Sequence, residues 1–434
     1  MKKLLFFALS AVSLFCAYGE SLEDAVDKVE RMIEKTYRPG SLANEVARKK
    51  LSDIIGSSKS EEEQVSDLHA KFPKAFPEDK TPVPEAIQSL RDAAEKGEPE
   101  AQYKLGVCYA NGDGVEKDLK QAAYWWRKAA EQGFAPAQLN LGFCYYNGED
   151  VEKDLKQAAY WWRKAAEQGD AEAQYNLGQC YYNGWGVEKD LKQAVYWWRK
   201  ASDQGLAAAQ YNLGVCYENG NGVEKDLIQA VYWYRKASDQ GLAEAQYNLG
   251  VCYANGNGVG KDLKQAVYWY RKAAEQGRKE AQNDLGLCYA NGEGVEKDLK
   301  QAVHWFRKAA EQGYAPAQHN FGVSYYFGNS VAKDLKQAVY WYRKAADQGY
   351  APAQYNLGLC YENGNGVEKD LKQAVYWYRK AADQGYALAQ YNLGVSYANG
   401  EGVAKDLKQA VYWFRKAADQ GYEGAKEALR KLGQ

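Results

Sequence analysis

Nine consecutive stretches of this chain repeat at a strict interval of 36 residues, anchored at Ala101, Ala137, Ala173, Ala209, Ala245, Ala281, Ala317, Ala353 and Ala389 without insertion or deletion. A constant period over that length excludes a string of unrelated globular folds. It calls for a stack of equivalent supersecondary units, each burying its apolar face on the next. Within the first copy, Ala101, Leu105, Cys108 and Tyr109 fall at i, i+4, i+7 and i+8, one face of a helix. Asn111-Gly112 then supplies a pair that accepts the positive φ of a helix end. After the loop Asp113-Gly114-Val115-Glu116-Lys117, Asp118 and Gln121 form an acidic variant of the capping box that opens a second helix. Leu119, Ala122, Ala123, Trp126, Ala129 and Ala130 are its expected buried stripe, Gly133 closes it, and Pro136 suits the first turn of the next helix.

Both ends of the array obey the same logic. Residues 86–97 match a second helix alone, and residues 425–432 match a first helix alone. That last helix carries Arg430 where the other copies carry the equivalent of Gly106. The glycine is therefore expected to admit the second helix of its own repeat at close range, a need that ends where no second helix follows. The predicted fold is all-α, a solenoid of 36-residue helix–turn–helix repeats over residues 86–432.

Leu-Gly-x-x-Tyr in the first helix, Gly-x-Gly-Val-x-x-Asp in the loop and Ala-x-x-Trp-[Trp/Tyr/Phe]-Arg-Lys-Ala in the second helix resemble the Sel-1-like repeat family, relatives of tetratricopeptide repeats. The resemblance implies a right-handed α–α superhelix that serves as an adaptor between proteins. A cysteine-rich secreted branch of the family is associated with β-lactam binding or slow hydrolysis, which the resemblance brings in as the alternative function. That branch carries paired cysteines in each repeat, and this chain does not.

Ahead of the array, Lys2 and Lys3, the apolar stretch from Leu4 to Ala17, and Ala17-Tyr18-Gly19 have the form of an export signal over residues 1–19. This predicts an exported protein, periplasmic or extracellular. Residues 20–76 form a separate helical region by their three- and four-residue apolar spacing, and residues 77–85 a Pro-rich linker. No later segment has the length and apolarity of a membrane span, so stable membrane insertion is not expected. Charged residues make up 26% of the 434 and the formal net charge is −1, with both signs interleaved along the chain. No basic stripe for nucleic acid is visible at that level.

Candidate chemistry is sparse. Cys108, Cys144, Cys180, Cys216, Cys252, Cys288 and Cys360 occupy one position of the repeat, and Ser324 and Ser396 fill it elsewhere. Neighbouring copies should sit about 10 Å apart, beyond the roughly 7 Å Cα spacing of a disulfide, so free core thiols are expected. No CxxC or HxxH spacing suggests a metal, and no cofactor motif is present. His304 and His319 stand where other copies carry Tyr and read as drift at tolerant positions. Ser330-Val331-Ala332-Lys333 has the Ser-x-x-Lys form of penicillin-recognising enzymes, but it lies in the inter-helix loop with no Lys-Thr-Gly partner. No catalytic residue is assigned, and a non-enzymatic role is expected. In the Tyr124-Trp125-Trp126 run, Trp126 falls on the core stripe and Trp125 is expected to be half exposed.

The informative signal is which positions vary between copies. In the first helix these are the positions of Glu100, Tyr103, Lys104, Val107 and Ala110, one face opposite Leu105 and Cys108. Across the array that stripe reads Tyr175, Asn176, Tyr211, Asn212, Tyr247, Asn248, Tyr355, Asn356, Tyr391 and Asn392. Tyrosine offers rigid amphipathic contact area and asparagine both a donor and an acceptor. The stripe is the candidate binding groove, on the concave side, for a protein or extended peptide partner. Tolerance of change at an exposed face, or a role as a passive spacer, are the competing readings. If the stripe binds a partner, replacing Tyr211, Asn212, Tyr247 and Asn248 with Ala should abolish capture and leave the melting temperature nearly unchanged.

Overall fold

The computed structural model of the chain describes residues 85–148 and 151–433, together with Val26, Val29, Glu30 and Leu51, all four helical. The expected leader, the linker up to residue 84 and nearly all of the N-terminal region lie outside the described residues. Glu85, assigned to the linker from sequence, opens a helix. The described residues of the array form helices and no strands, an all-α solenoid of helix–turn–helix repeats.

The chain divides into two compact units, Met1–Gln132 and Gly133–Gln434. The first holds the helices Glu85–Glu95, Pro99–Asn111 and Leu119–Glu131, packed around Ala94, Ala101, Leu105 and Trp125. The second holds eight helix pairs, from Ala135–Asn147 with Leu155–Glu167 to Ala387–Asn399 with Leu407–Asp419, and ends in Glu423–Lys431. We call the two helices of each repeat A and B. Helix A begins two residues ahead of its anchoring alanine, as at Ala135 and Ala137, where Pro136 supplies a preset φ to the first turn.

Packing explains the period. One core cluster joins Ala158, Ala159, Trp162 and Ala165 of one helix B with Ala173, Leu177 and Cys180 of the next helix A and Trp197 of the following helix B. No repeat completes its own core. Burying one side chain such as Leu177 stabilises by about 1.5–3 kcal/mol, and only the stack provides the burial. Gly178 lies against Trp198 of its own repeat, where a Cβ would come within 2.5 Å of the ring. This is the close approach expected from Arg430 at the array's end, which is exposed.

The loop glycines divide their labour. Gly184, at φ 78°, ends helix A with its N–H donated to Cys180 O at 2.8 Å. Gly186, at φ 67°, lets the loop lie on the preceding repeat, where a Cβ would stand 1.9 Å from Leu155 O. Asp190 then caps helix B, its Oδ1 accepting from Lys192 N at 2.9 Å and Gln193 N at 3.1 Å. Only half of the expected capping box forms in this loop, because the Asp190 N–H is taken by Tyr181 O at 2.9 Å.

Three features depart from the sequence reading. Trp125 and its counterpart Trp197 are buried at 8% exposure, while the preceding tyrosines, Tyr124 and Tyr196, stand out at 48%. The Trp ring turns edge-on to its neighbouring Tyr, as at Tyr196 and Trp197, 5.0 Å between centroids, and fills the seam between repeats. Trp126 itself is half-buried, whereas its counterparts Trp162 and Trp198 are buried. A buried glutamine had no assigned role. Gln174 donates from Nε2 to Ala166 O at 3.1 Å and accepts at Oε1 from Gln204 at 2.9 Å, tying the end of one helix B through helix A to the end of the next. The seven cysteines of the array are free thiols, all buried except the half-buried Cys108.

Candidate binding face on the first helices

The ten stripe residues, Tyr175, Asn176, Tyr211, Asn212, Tyr247, Asn248, Tyr355, Asn356, Tyr391 and Asn392, are all half-buried. Each tyrosine is shaded by its own helix B. Tyr211 lies 5.9 Å from Tyr234, Tyr247 5.8 Å from Tyr270, Tyr355 5.9 Å from Tyr378 and Tyr391 5.7 Å from Phe414, ring centroid to ring centroid.

The next repeat then bonds to it. The Asn248 amide meets the hydroxyls of both Tyr211 and Tyr234, and Asn392 meets Tyr355 and Tyr378 in the same way. The Tyr234 hydroxyl donates to Glu218 Oε2 at 2.6 Å, and that of Tyr378 to Glu362 Oε2 at 2.7 Å. Burial pushes the Tyr211 and Tyr355 hydroxyls above the ordinary tyrosine range, so they stay protonated. The stripe is thus a ladder running from repeat to repeat as well as a surface. The face is half-buried, so its truncation is expected to cost stability: Ala at Tyr211 and Asn248 removes aromatic packing and an inter-repeat hydrogen bond.

His319 is also corrected. It is more than drift at a tolerant position: its ring lies 5.7 Å from Tyr342 and 5.6 Å from Tyr350, its Nε2 is 2.9 Å from Asn356 Nδ2 and its Nδ1 is 3.3 Å from Asn320 Oδ1. An amide nitrogen only donates, so Nε2 accepts and the ring carries its proton on Nδ1. Burial pulls its pKa below the usual histidine value, which fits a neutral ring. His304, on a helix B, is exposed beside Trp305.

A second row of the face escaped the sequence reading. In several repeats the residue that caps helix A folds over the stripe of the preceding helix A. Tyr386 lies 5.5 Å from Tyr355, Tyr422 lies 5.0 Å from Tyr391, and the Arg278 guanidinium lies 5.2 Å from the Tyr247 ring. The signal was present in the sequence: the residue between the closing glycine and helix A is Leu206, Leu242, Arg278, Tyr314, Tyr350 or Tyr386 in successive copies.

Other candidate chemistry falls elsewhere. Ser330 sits in an inter-helix loop at φ 57°, in the place that other loops give to their second glycine. Among the described residues, no group of three or more His, Cys, Asp or Glu side chains has the arrangement of a metal site. Likewise, no described helix is long and apolar enough to cross a membrane.

Comparison with known proteins agrees with this architecture. The family model described as Sel1 repeat matches nine successive segments, from residues 99–134 to 387–422. A crystal structure described as c5321, a protective antigen present in uropathogenic Escherichia coli strains displaying an SLR fold, is 38% identical. The match covers 80% of this chain and 82% of that one, with a TM-score of 0.64. A Sel1 repeat protein from Oxalobacter formigenes is also 38% identical, covering 71% of this chain and 89% of that one, with a TM-score of 0.56. No curated protein sequence matches the chain.

Proposed function

Since the chain belongs to the Sel1 repeat family, we propose that it is an exported, non-catalytic adaptor that holds an extended segment of a protein partner along the face of its first helices. The observation that carries this reading is the contrast within one molecule. Core positions such as Ala173, Leu177 and Gly178 are the same in nearly every copy, while the face of the first helices changes from a half-buried Tyr247 to a buried Asn283 to a half-buried His319 in consecutive repeats. A face kept only for stacking needs one solution, repeated. A face that reads a partner needs a different side chain at each station along it, and solenoids commonly bind along one such surface.

The test has to spare the ladder. Val251 and Leu287 lie on the face without belonging to it, half-buried and exposed respectively. Arg at both should block the face and shift the melting temperature by no more than a few degrees. Tagged protein is used to capture partners from the native envelope, and these are identified by mass spectrometry. A partner lost with Val251→Arg/Leu287→Arg and kept with Tyr232→Ala/Tyr268→Ala on the opposite, helix-B side supports the reading. The reverse pattern overturns it. Export is tested separately, by fractionating cells that produce the full chain.

A further inference from the structure

The near-neutral chain is electrically divided by its fold. In the second compact unit, the eight A helices carry Glu172, Glu218, Glu244, Glu280, Asp284 and Glu362 against a single cation, Lys279. Each B helix of the same unit carries two or three Lys or Arg against one Glu or Asp. Charges that alternate along the sequence are sorted onto two layers, because the two helices of every repeat take opposite sides.

The negative charge concentrates at one station. Asp284 stands where the seven other repeats of this unit carry Asn. Its Oδ2 accepts from the Tyr247 hydroxyl at 3.1 Å and its Oδ1 from Asn283 Nδ2 at 3.0 Å. The donors continue behind it: Asn320 donates to Asn283 Oδ1 at 3.0 Å, His319 to Asn320 Oδ1 at 3.3 Å, and Asn356 to His319 Nε2 at 2.9 Å. Every bond in this line runs toward the carboxylate, which fixes it in place on a half-exposed helix face. Glu280 lies near it, and Glu244 and Glu280 share Arg278, at 3.5 Å and 3.4 Å. Three carboxylates stand against two cations, Arg278 and Lys279, the latter 5.8 Å from the Tyr314 ring, and leave a net negative charge at this station.

We propose that the partner's segment is basic, and that a lysine or arginine side chain of it docks at Glu280 and Asp284. This rests on the reading of the first-helix face as the binding surface and adds the chemistry of what it binds. A carboxylate has about four acceptor positions, and the two bonds described leave Asp284 room for an ammonium or guanidinium. Burial raises the Asp284 pKa, a desolvation strain that an incoming cation relieves. Charge-assisted bonds of this kind are short and directional, and they give the solenoid a register mark in an otherwise uniform stripe.

The experiment is fluorescence anisotropy on the full chain with two fluorescein-labelled dodecapeptides, one alternating Lys and Ala, the other Glu and Ala. The Lys peptide is expected to bind at least about tenfold more tightly than the Glu peptide and to weaken as salt is added. Asp284→Asn with Glu280→Gln should weaken the Lys peptide about tenfold and leave the melting temperature within a few degrees, since Asn is native at this position in neighbouring repeats. Equal binding of the two peptides, no binding of the Lys peptide, or unchanged binding by the double variant each overturns the proposal. If that variant keeps both Lys peptide and captured partner while Val251→Arg/Leu287→Arg loses the partner, the face stands and the basic anchor falls. If Val251→Arg/Leu287→Arg keeps the partner, the reading beneath fails as well.

Discussion

Gly142 lies so close to Trp162 that a Cβ on its backbone would stand 2.3 Å from the indole Nε1, which donates to Leu139 O at 3.2 Å. Alanine in a helix normally gains about 0.5–1 kcal/mol over glycine. Here it must push a buried ring off its hydrogen bond, and overpacking of that kind costs about 1–3 kcal/mol. Gly142→Ala is therefore expected to lower the urea midpoint, followed by tryptophan fluorescence. Gly260, which has open space around it, is the control: Gly260→Glu should change stability by less than about 0.5 kcal/mol. A Gly142→Ala protein as stable as the parent would refute the packing account.

Ser330 is the one non-glycine residue at positive φ among the described residues, at 57°. A side chain in that conformation costs about 1–2 kcal/mol, and the equivalent loops use Gly294 and Gly366. Ser330→Gly should raise the melting temperature. A lower melting temperature would mean that the serine contributes a contact worth more than the strain.

Asn176 reaches for a partner that its neighbour lacks. Its Nδ2 is buried with no hydrogen bond, and Leu139 stands where the ladder elsewhere presents a tyrosine or another polar side chain. An unsatisfied buried donor costs about 1–3 kcal/mol. Leu139→Tyr is expected to recover about 1 kcal/mol of that, and Tyr247→Leu, the reverse change beside Asp284, to destabilise. Paired urea titrations in which both substitutions shift the midpoint the same way would show that the ladder contributes nothing.

Alkaline pH should loosen the stack. Burial pushes the thiols of Cys180, Cys216, Cys252 and Cys360 up to about 12, and Cys288 to about 11. An unfolded thiol titrates near about 8.5. The folded chain thus holds protons that the unfolded chain releases. The stabilisation is complete below about pH 8.5 and is lost as pH rises toward 12, by about 1.4 kcal/mol per pH unit for each thiol in that window. Replacing Cys180, Cys216, Cys252 and Cys360 with Ser should flatten the fall in urea midpoint between pH 8 and 10. Serine is housed already at this position, where Ser324 Oγ donates to Asn320 O at 3.0 Å. Equal pH slopes in parent and variant would contradict the buried-thiol account.

The period, the helix ends and the glycine contacts were legible in the chain because each arises within about one repeat. Asp190 caps a helix three residues away, Gly184 ends one four residues back, and Gly178 meets a ring of its own repeat. Helical spacing alone also singled out the Tyr and Asn stripe. Its burial was not legible, because a wheel drawn for one helix points Tyr247 outward, while the residue that accepts its hydrogen bond, Asp284, is 37 positions away on the next helix A. The same holds for Gln174, which waits on Gln204, and for His319, whose tautomer is set by Asn356. Charge followed this rule most completely. Along the sequence Lys and Glu alternate and cancel; only the placement of A and B helices on opposite sides of the stack separates them. What one repeat contains was decided by local spacing, and what its outward residues do was decided by the neighbour that stacking set against them.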